Sequence, residues 1–153
     1  MADARSDAFE VALAALRTRE RTNAELTAWL ERRGYGAGEV GAAVGRLIEI
    51  GELDDQRFAR RYAEDKRALR GWGPERIREA LLARGMAPSL AETAAEADSH
   101  EAQVARASDL LAGRGRPLAT DADRARAVGY LTRRGYEYEI AYEAIRAATR
   151  RAA

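Results

Sequence analysis

The apolar residues of this chain recur at three- and four-residue intervals, the period of a helix with one buried face, and no stretch shows the alternation of a half-buried strand. Phe9, Leu13 and Leu16 share a face in an opening helix. A second helix is predicted from a Thr22/Glu25 capping box through Leu26, Trp29 and Leu30 to a stop at Gly34. A third carries Val40, Val44, Leu47, Ile48 and Ile50. The pattern restarts near Asp55 with Phe58, Tyr62 and Leu69, then breaks at RGWGP. Pro74 suits a first helical position, and the apolar period resumes through Ile77 and Leu81 to Gly85. A short, weakly apolar helix follows Pro88 with Leu90, Ala94 and Ala97. The last stretch places Val104, Leu110 and Leu111 before a loop GRGRP, then Val128 and Leu131 up to Gly135, then Ile140, Tyr142 and Ile145. Pro74, Pro88 and Pro117 all fall where the period is interrupted.

Three segments are alike: ELTAWLERRGY (25–35), RIREALLARGM (76–86) and RAVGYLTRRGY (126–136). In each a Leu stands four residues before a Gly, as Leu30/Gly34, Leu81/Gly85 and Leu131/Gly135, and the glycines are 51 and 50 residues apart. This internal repeat predicts an all-α chain of three tandem three-helix units, spanning 8–53, 54–99 and 100–151. Units of that size bury little alone, so neighbours must stack, and the expected shape is an elongated, curved array.

Composition adds a compartment. The chain has no cysteine, its opening MADARSDAFEVAL lacks the unbroken apolar core of a secretory signal, and no segment has the length of a membrane span. A soluble, cytoplasmic protein is expected. Charge is nearly balanced, 26 basic against 25 acidic residues, but banded. Residues 57–84 hold 9 basic and 4 acidic groups and 102–134 hold 7 and 3, whereas 85–101 hold 4 acids and no base. Such banding gives a polar partner surface without the overall excess of a purely electrostatic DNA binder.

The stretch ELDDQRFARRYAEDKR (52–67) raises the question of catalysis, because Asp54 and Asp55 are adjacent. Neighbouring residues at a helix entrance point apart, no further acid cluster or His is near, and helix N-termini favour Asp for capping and for the dipole. Capping is therefore the expected role, and His100, set among acids, is read as a solvated helix residue. No nucleophile–base set and no phosphate-cradling glycine loop is present, so neither an enzyme nor a cofactor is expected. On the helix after Asp55, Phe58 and Tyr62 face inward while Arg57, Arg60, Arg61, Glu64 and Arg67 occupy the other faces, where an Arg60–Glu64 pair is expected.

Basic residues also recur at equivalent places. The connections between first and second helices carry Arg19 and Arg21, then Arg70, then Arg114 and Arg116; the ends of the second helices carry Arg32 and Arg33, then Arg84, then Arg133 and Arg134. The second set suits helix C-termini whatever the function. The first is expected to form, with the Arg57–Arg61 face and Arg67, an edge for a polyanionic or acidic repeating partner. Trp72, between Gly71 and Gly73, is either an exposed stacking residue or tucked onto its own unit, and Trp29 is read as core. A rival reading makes helices 24–33 and 37–50 a DNA-reading helix–turn–helix, but the third helix offers Glu39, Glu49 and a single basic residue, Arg46.

With these residues in view, the chain resembles the RecX family of bacterial regulatory proteins. The resemblance rests on GELDDQRFARRYAEDK, RTNAELTAWLERRGY, RIREALLARG and LTRRGYEYEIAYEAI, and extends over about residues 8–150. It implies three helix-turn-helix-like repeats in an elongated, curved, monomeric molecule. It further implies binding to the RecA recombinase and its nucleoprotein filament on single-stranded DNA, lowered ATP hydrolysis and strand exchange, and limited filament growth. Direct contact with single- or double-stranded DNA is implied for some members. The family supplies no catalytic residue set.

Overall fold

The computed structural model describes residues 6–153, and within them the chain forms nine α-helices and no strand. The first residues of the segment read for a leader signal, MADAR, lie outside that range. The helices are α1 (Ala8–Thr18), α2 (Asn23–Arg32), α3 (Ala37–Glu49), α4 (Asp55–Arg70), α5 (Pro74–Ala83), α6 (Pro88–Glu96), α7 (His100–Arg114), α8 (Asp121–Arg133) and α9 (Tyr138–Ala152). Their ends follow the predicted signals. Thr22 and Glu25 form a reciprocal capping box, Asp54 accepts from the Arg57 N–H at 3.0 Å, and Pro74 and Pro88 open their helices. Arg70 and Arg114 end helices instead of lying in loops, because α7 runs on through Gly113 into the GRGRP stretch.

The repeated Leu-x-x-x-Gly is a helix stop with a defined hydrogen-bond pattern. Gly34, Gly85 and Gly135 take positive φ of 88°, 80° and 101°. The N–H of the following residue then bonds back to the carbonyl of the Leu: Tyr35 to Leu30 at 3.3 Å, Met86 to Leu81 at 3.1 Å and Tyr136 to Leu131 at 3.2 Å. The three leucines and the residue after each glycine are buried, so each stop also seals a core.

The most extensive helix packing lies within consecutive triplets: α3 covers α1 and α2, α6 covers α4 and α5, and α9 covers α7 and α8. Each triplet, or unit, has its own hydrophobic cluster. Alanines do much of the close packing. Ala8, Ala12 and Ala15 are the buried residues of α1, while the expected Phe9, Leu13 and Leu16 lie half-buried at the rim. In α6 the buried residues are Ala91, Ala94 and Ala95, with Ala97 exposed at the cap.

Four further expected core positions turn out exposed. Ile48 sits a helical step off the buried Val40–Ala43–Leu47 stripe, and Ile50 has left it at the cap. Tyr142 lies beside, not on, the Ile140–Ala141–Ala144–Ile145 stripe. Leu69, 79% exposed, stands in the last turn of α4, which overshoots the nine-residue α6 that covers it.

The units join through their middle helices, which run nose to tail. The N-terminus of α5 docks on the C-terminal turn of α8: the Gly73 N–H donates to the Arg134 carbonyl at 2.8 Å and the Glu75 N–H to the Gly135 carbonyl at 3.0 Å. At the same place in the preceding joint, the Thr22 hydroxyl at the α2 cap donates to the Arg84 carbonyl of α5 at 2.9 Å. At the joint of α5 with α8, free N–H groups of one helix thus meet free carbonyls of the next, at the joint of α2 with α5 a hydroxyl takes that place, and at both the two dipole ends attract. The chain exposes 9165 Å², against about 7,600 Å² for a compact chain of its 16.8 kDa.

Candidate functional site

The last turn of α4 and the first of α5 bring Lys66, Arg70, Trp72 and Arg76 against the end of α8, where Tyr130, Arg133 and Arg134 stand. These residues line an open hollow of about 600 Å³ that contains no acidic side chain. A second hollow of about 600 Å³ adjoins it, sharing Tyr130 and Arg133 and adding Arg114, Arg116 and Arg126. Arg126 is neutralised by Asp123 at 2.7 Å. Arg70, Arg116 and Arg133 have no carboxylate within 4.0 Å among the described residues. Unneutralised guanidinium groups in a concave, acid-free lining favour a polyanion.

The aromatic rings order these cations. Trp72 is half-buried, edge-on to Tyr62 at 6.4 Å, with the Lys66 ammonium 4.9 Å and the Arg76 guanidinium 4.3 Å from its ring centre. It is thus both tucked onto its own unit and open to the hollow. Tyr130 holds Arg114 and Arg134, each at 4.9 Å, and the Arg114 Nε is buried without a hydrogen-bond partner. Arg134 also ties the site to the joint, donating to the Arg70 carbonyl at 2.8 Å while its own carbonyl accepts from Gly73.

Arg19 and Arg21 line a separate hollow between the first and second units, with Trp29 and Arg32. Trp29 is half-buried at the rim of the first core, with Arg33 at 4.1 Å and Arg21 at 5.1 Å from its ring. Burial and the neighbouring Arg19 hold the Arg21 guanidinium below its ordinary pKa, and its N–H donates to the Ala15 carbonyl at 2.6 Å. The row expected from all three connections is therefore gathered only in part, since Arg70, Arg114 and Arg116 meet in the adjoining hollows and Arg19 and Arg21 do not line them.

The charged face of α4 is mostly committed elsewhere. Arg57 donates to the Gly51 carbonyl at 3.0 Å and closes the end of α3. Arg61 reaches Glu20 at 2.8 Å, and Arg60 is exposed and does not pair with Glu64. Arg67 departs furthest from the surface role expected of it. It donates to the Ala94 carbonyl at 2.6 Å and lies 3.6 Å from Asp98, whose carboxylate is 3% exposed. Burial pushes its pKa down, and Asp98 partly offsets this.

Asp98 also takes two parallel bonds of 2.9 Å from Arg106. Burial opposes the Arg106 charge, but the bonds to Asp98 and the adjacent Tyr136 hold its pKa above the ordinary range.

The paired acids are capping groups. Asp54 caps α4, and Asp55, its pKa raised by burial, accepts the Asn23 N–H at 2.8 Å across the first joint. His100 is exposed and pairs with Glu143 at 2.8 Å. Among the described residues no three His, Asp or Glu side chains converge as a metal site would require. Nor is any described helix long and apolar enough to cross a membrane. Arg46, the basic residue of the rival's reading helix, has its guanidinium 4.0 Å over Phe9.

Lys66, Arg76, Tyr130, Arg133 and Arg134 complete the site, and sequence reasoning had not placed them there. Tyr130 was within reach, because it stands directly before the repeat Leu131 as Trp29 does before Leu30.

Comparison with known proteins points one way. Residues 54–94 match the family model described as RecX, second three-helix domain. The chain is 37% identical over 143 residues to the regulatory protein RecX of Thermus thermophilus, covering 94% of this chain and 93% of that one. It is 38% identical over 136 residues to the regulatory protein RecX of Deinococcus radiodurans, covering 88% and 65% respectively. The crystal structure of RecX from Lactobacillus salivarius superposes with a TM-score of 0.86 at 21% identity, over 93% of this chain and 94% of that one, which supports the tandem helical fold. On the strength of these relatives the chain belongs to the RecX family of regulatory proteins.

Proposed function

We propose that the chain regulates the RecA recombinase of its host, binding RecA or its filament on single-stranded DNA. Bound there it lowers ATP hydrolysis and strand exchange and limits filament growth, a cytoplasmic role in recombinational repair and the SOS response. The observation that carries this reading, beyond the family, is the acid-free basic surface spanning the second and third units. A helical filament repeats its surface at every protomer, so linked units that each make a weak contact gain avidity together. The protein acts as a monomer and without catalysis of its own.

The test is RecA's ATP hydrolysis on single-stranded DNA as the protein is added well below stoichiometric amounts. Suppression on preformed filaments, weakened at least tenfold by combined Arg70→Glu and Arg116→Glu, is the expected result. Unchanged hydrolysis with folded protein overturns the regulatory reading. Suppression that survives both charge reversals removes the basic surface from it.

A further inference from the structure

Three aromatic rings, one lining a hollow from each unit, hold two cations apiece: Trp29 with Arg21 and Arg33, Trp72 with Lys66 and Arg76, Tyr130 with Arg114 and Arg134. The cations stand 4.1–5.1 Å from the ring centres. Each of the three is half-buried and lines one of the hollows, which Tyr62, with Lys66 at 5.3 Å and Arg84 at 5.6 Å, does not; the Trp29 hollow also holds Glu25, paired with Arg84. None of the six cations has a carboxylate within 4.0 Å among the described residues.

The arrangement is not a simple copy along the repeat. Trp29 and Tyr130 occupy equivalent places, but Ala80 stands there in the second unit, and Trp72, just ahead of the α5 cap, supplies the ring instead. The same grouping is reached from different positions.

A ring with cationic groups over it has little face left for a base. What it does offer is order: a guanidinium or ammonium held against a ring loses less freedom when it takes a phosphate oxygen. The hollows contain no Leu, Ile, Val, Met or Phe, and the aromatic rings that line them are already covered by cations. A regularly spaced polyanion fits this chemistry better than an acidic protein patch.

We propose that the three ring-held cation pairs are successive clamps on the phosphate backbone of a nucleic-acid strand, gripping phosphates without stacking bases. The proposal rests on the reading that the chain works on a filament containing single-stranded DNA, and it assigns the strand as a direct contact of these hollows.

The experiment measures binding of the full chain to a labelled oligothymidylate and to an abasic strand of the same length, over a range of salt. The two strands should bind within about threefold of each other, both weakening steeply with salt as counterions are released. Arg33→Ala, Arg76→Ala and Arg114→Ala, each with unchanged helical signal, should weaken both strands by similar factors of about three to ten. Each should also flatten the salt dependence by roughly one phosphate contact. An abasic strand bound more than tenfold weaker, with strong quenching of tryptophan fluorescence by the normal strand, would show that the rings stack bases and overturn the clamp. Inhibition of the recombinase by a protein that binds neither strand would assign the hollows to an acidic protein surface and also overturn it. Strand binding without any effect on the recombinase would leave the clamps standing and remove the regulatory reading instead.

Discussion

The two joints of this molecule sit at the same place in the repeat and are built from opposite materials. Between the second and third units, backbone meets backbone: Gly73 and Glu75 donate to Arg134 and Gly135, and the buried Tyr136 hydroxyl donates to the Gly71 carbonyl at 2.7 Å. Beside them the nearly inaccessible Asp98 is shared by Arg67 of the second unit and Arg106 of the third. Between the first and second units, side chains do the work: the Thr22 hydroxyl, the Asp55 carboxylate, a half-exposed Arg84–Glu25 pair and an exposed Arg61–Glu20 pair. The repeat therefore specifies where units touch and leaves open how firmly. The second joint fixes the hollow that depends on it, whereas the first can yield.

Removing Asp98 is the severest way to break that contrast. Asp98→Ala leaves Arg67 and Arg106 as buried charges with no carboxylate, and Arg67 Nε already lacks a hydrogen bond. Losing one partner of a buried ion pair costs about 3–5 kcal/mol. Thermal unfolding should shift accordingly, and proteolysis should cut between α6 and α7. A loss no larger than that of an exposed pair would show that the second joint is not the stronger one.

Gly73→Ala attacks the same joint without touching a charge. The new Cβ would stand 2.5 Å from the Gly135 carbonyl oxygen, which belongs to backbone and has little room to move. Overpacking of this kind costs about 1–3 kcal/mol. Because Arg134 links the joint to Tyr130 and Arg70, partner binding should fall although no cation of the site has changed. Chemical denaturation and the recombinase assay together check both halves of this expectation.

What could be read from the sequence divides along the same line, between local and joined structure. Helix stops and caps were legible because their chemistry is contained in a few consecutive residues: Leu30 to Tyr35 closes its own hydrogen bonds, as do Thr22 and Glu25. The core was legible in period but not in residue size. Alanines take the closest contacts, and bulkier neighbours such as Phe9 and Leu13 are pushed to the rim. The site was legible where equivalence along the repeat carried it, as for Arg70, Arg114 and Arg116, and at Trp72, set apart by its flanking glycines. Arg67 was misplaced because the Ala94 carbonyl that binds it is 27 residues away, and Trp29 because it packs at the rim of the first core with Arg33, one turn on, and Arg21, ahead of the helix, over its ring.

At the first joint, Thr22 stands where the second has Gly73. Its oxygen accepts from the Glu25 N–H at 3.1 Å and donates to Arg84 at 2.9 Å, so one atom serves both the cap and the joint. Thr22→Ala should cost about 1 kcal/mol, the usual loss for a missing N-cap. Any excess measured by unfolding reports the bond across the joint. An effect as large as that of Gly73→Ala would place the two joints on an equal footing.

Acid should act most weakly, and on the first joint. Burial works to raise the Glu25 pKa, but the Thr22 N–H at 3.0 Å and the double contact from Arg84 outweigh it and hold the group below its ordinary value. A carboxylate with a depressed folded pKa contributes stability above its unfolded pKa of 4.5 and loses it as pH falls through the lower folded value. The pair is more than a quarter exposed on both sides, so the contribution is screened and amounts to less than about 1 kcal/mol. Between neutrality and pH 4.5 the Glu25 contribution should hold constant, and below that a Glu25→Gln variant should lose less stability than the parent chain. Parallel acid titrations of the two proteins, followed by helical signal, would show this as converging stabilities. If they stay parallel down to the lowest pH at which both remain folded, Arg84 is not holding Glu25 and the first joint rests on Thr22, Asp55 and the exposed Arg61–Glu20 pair.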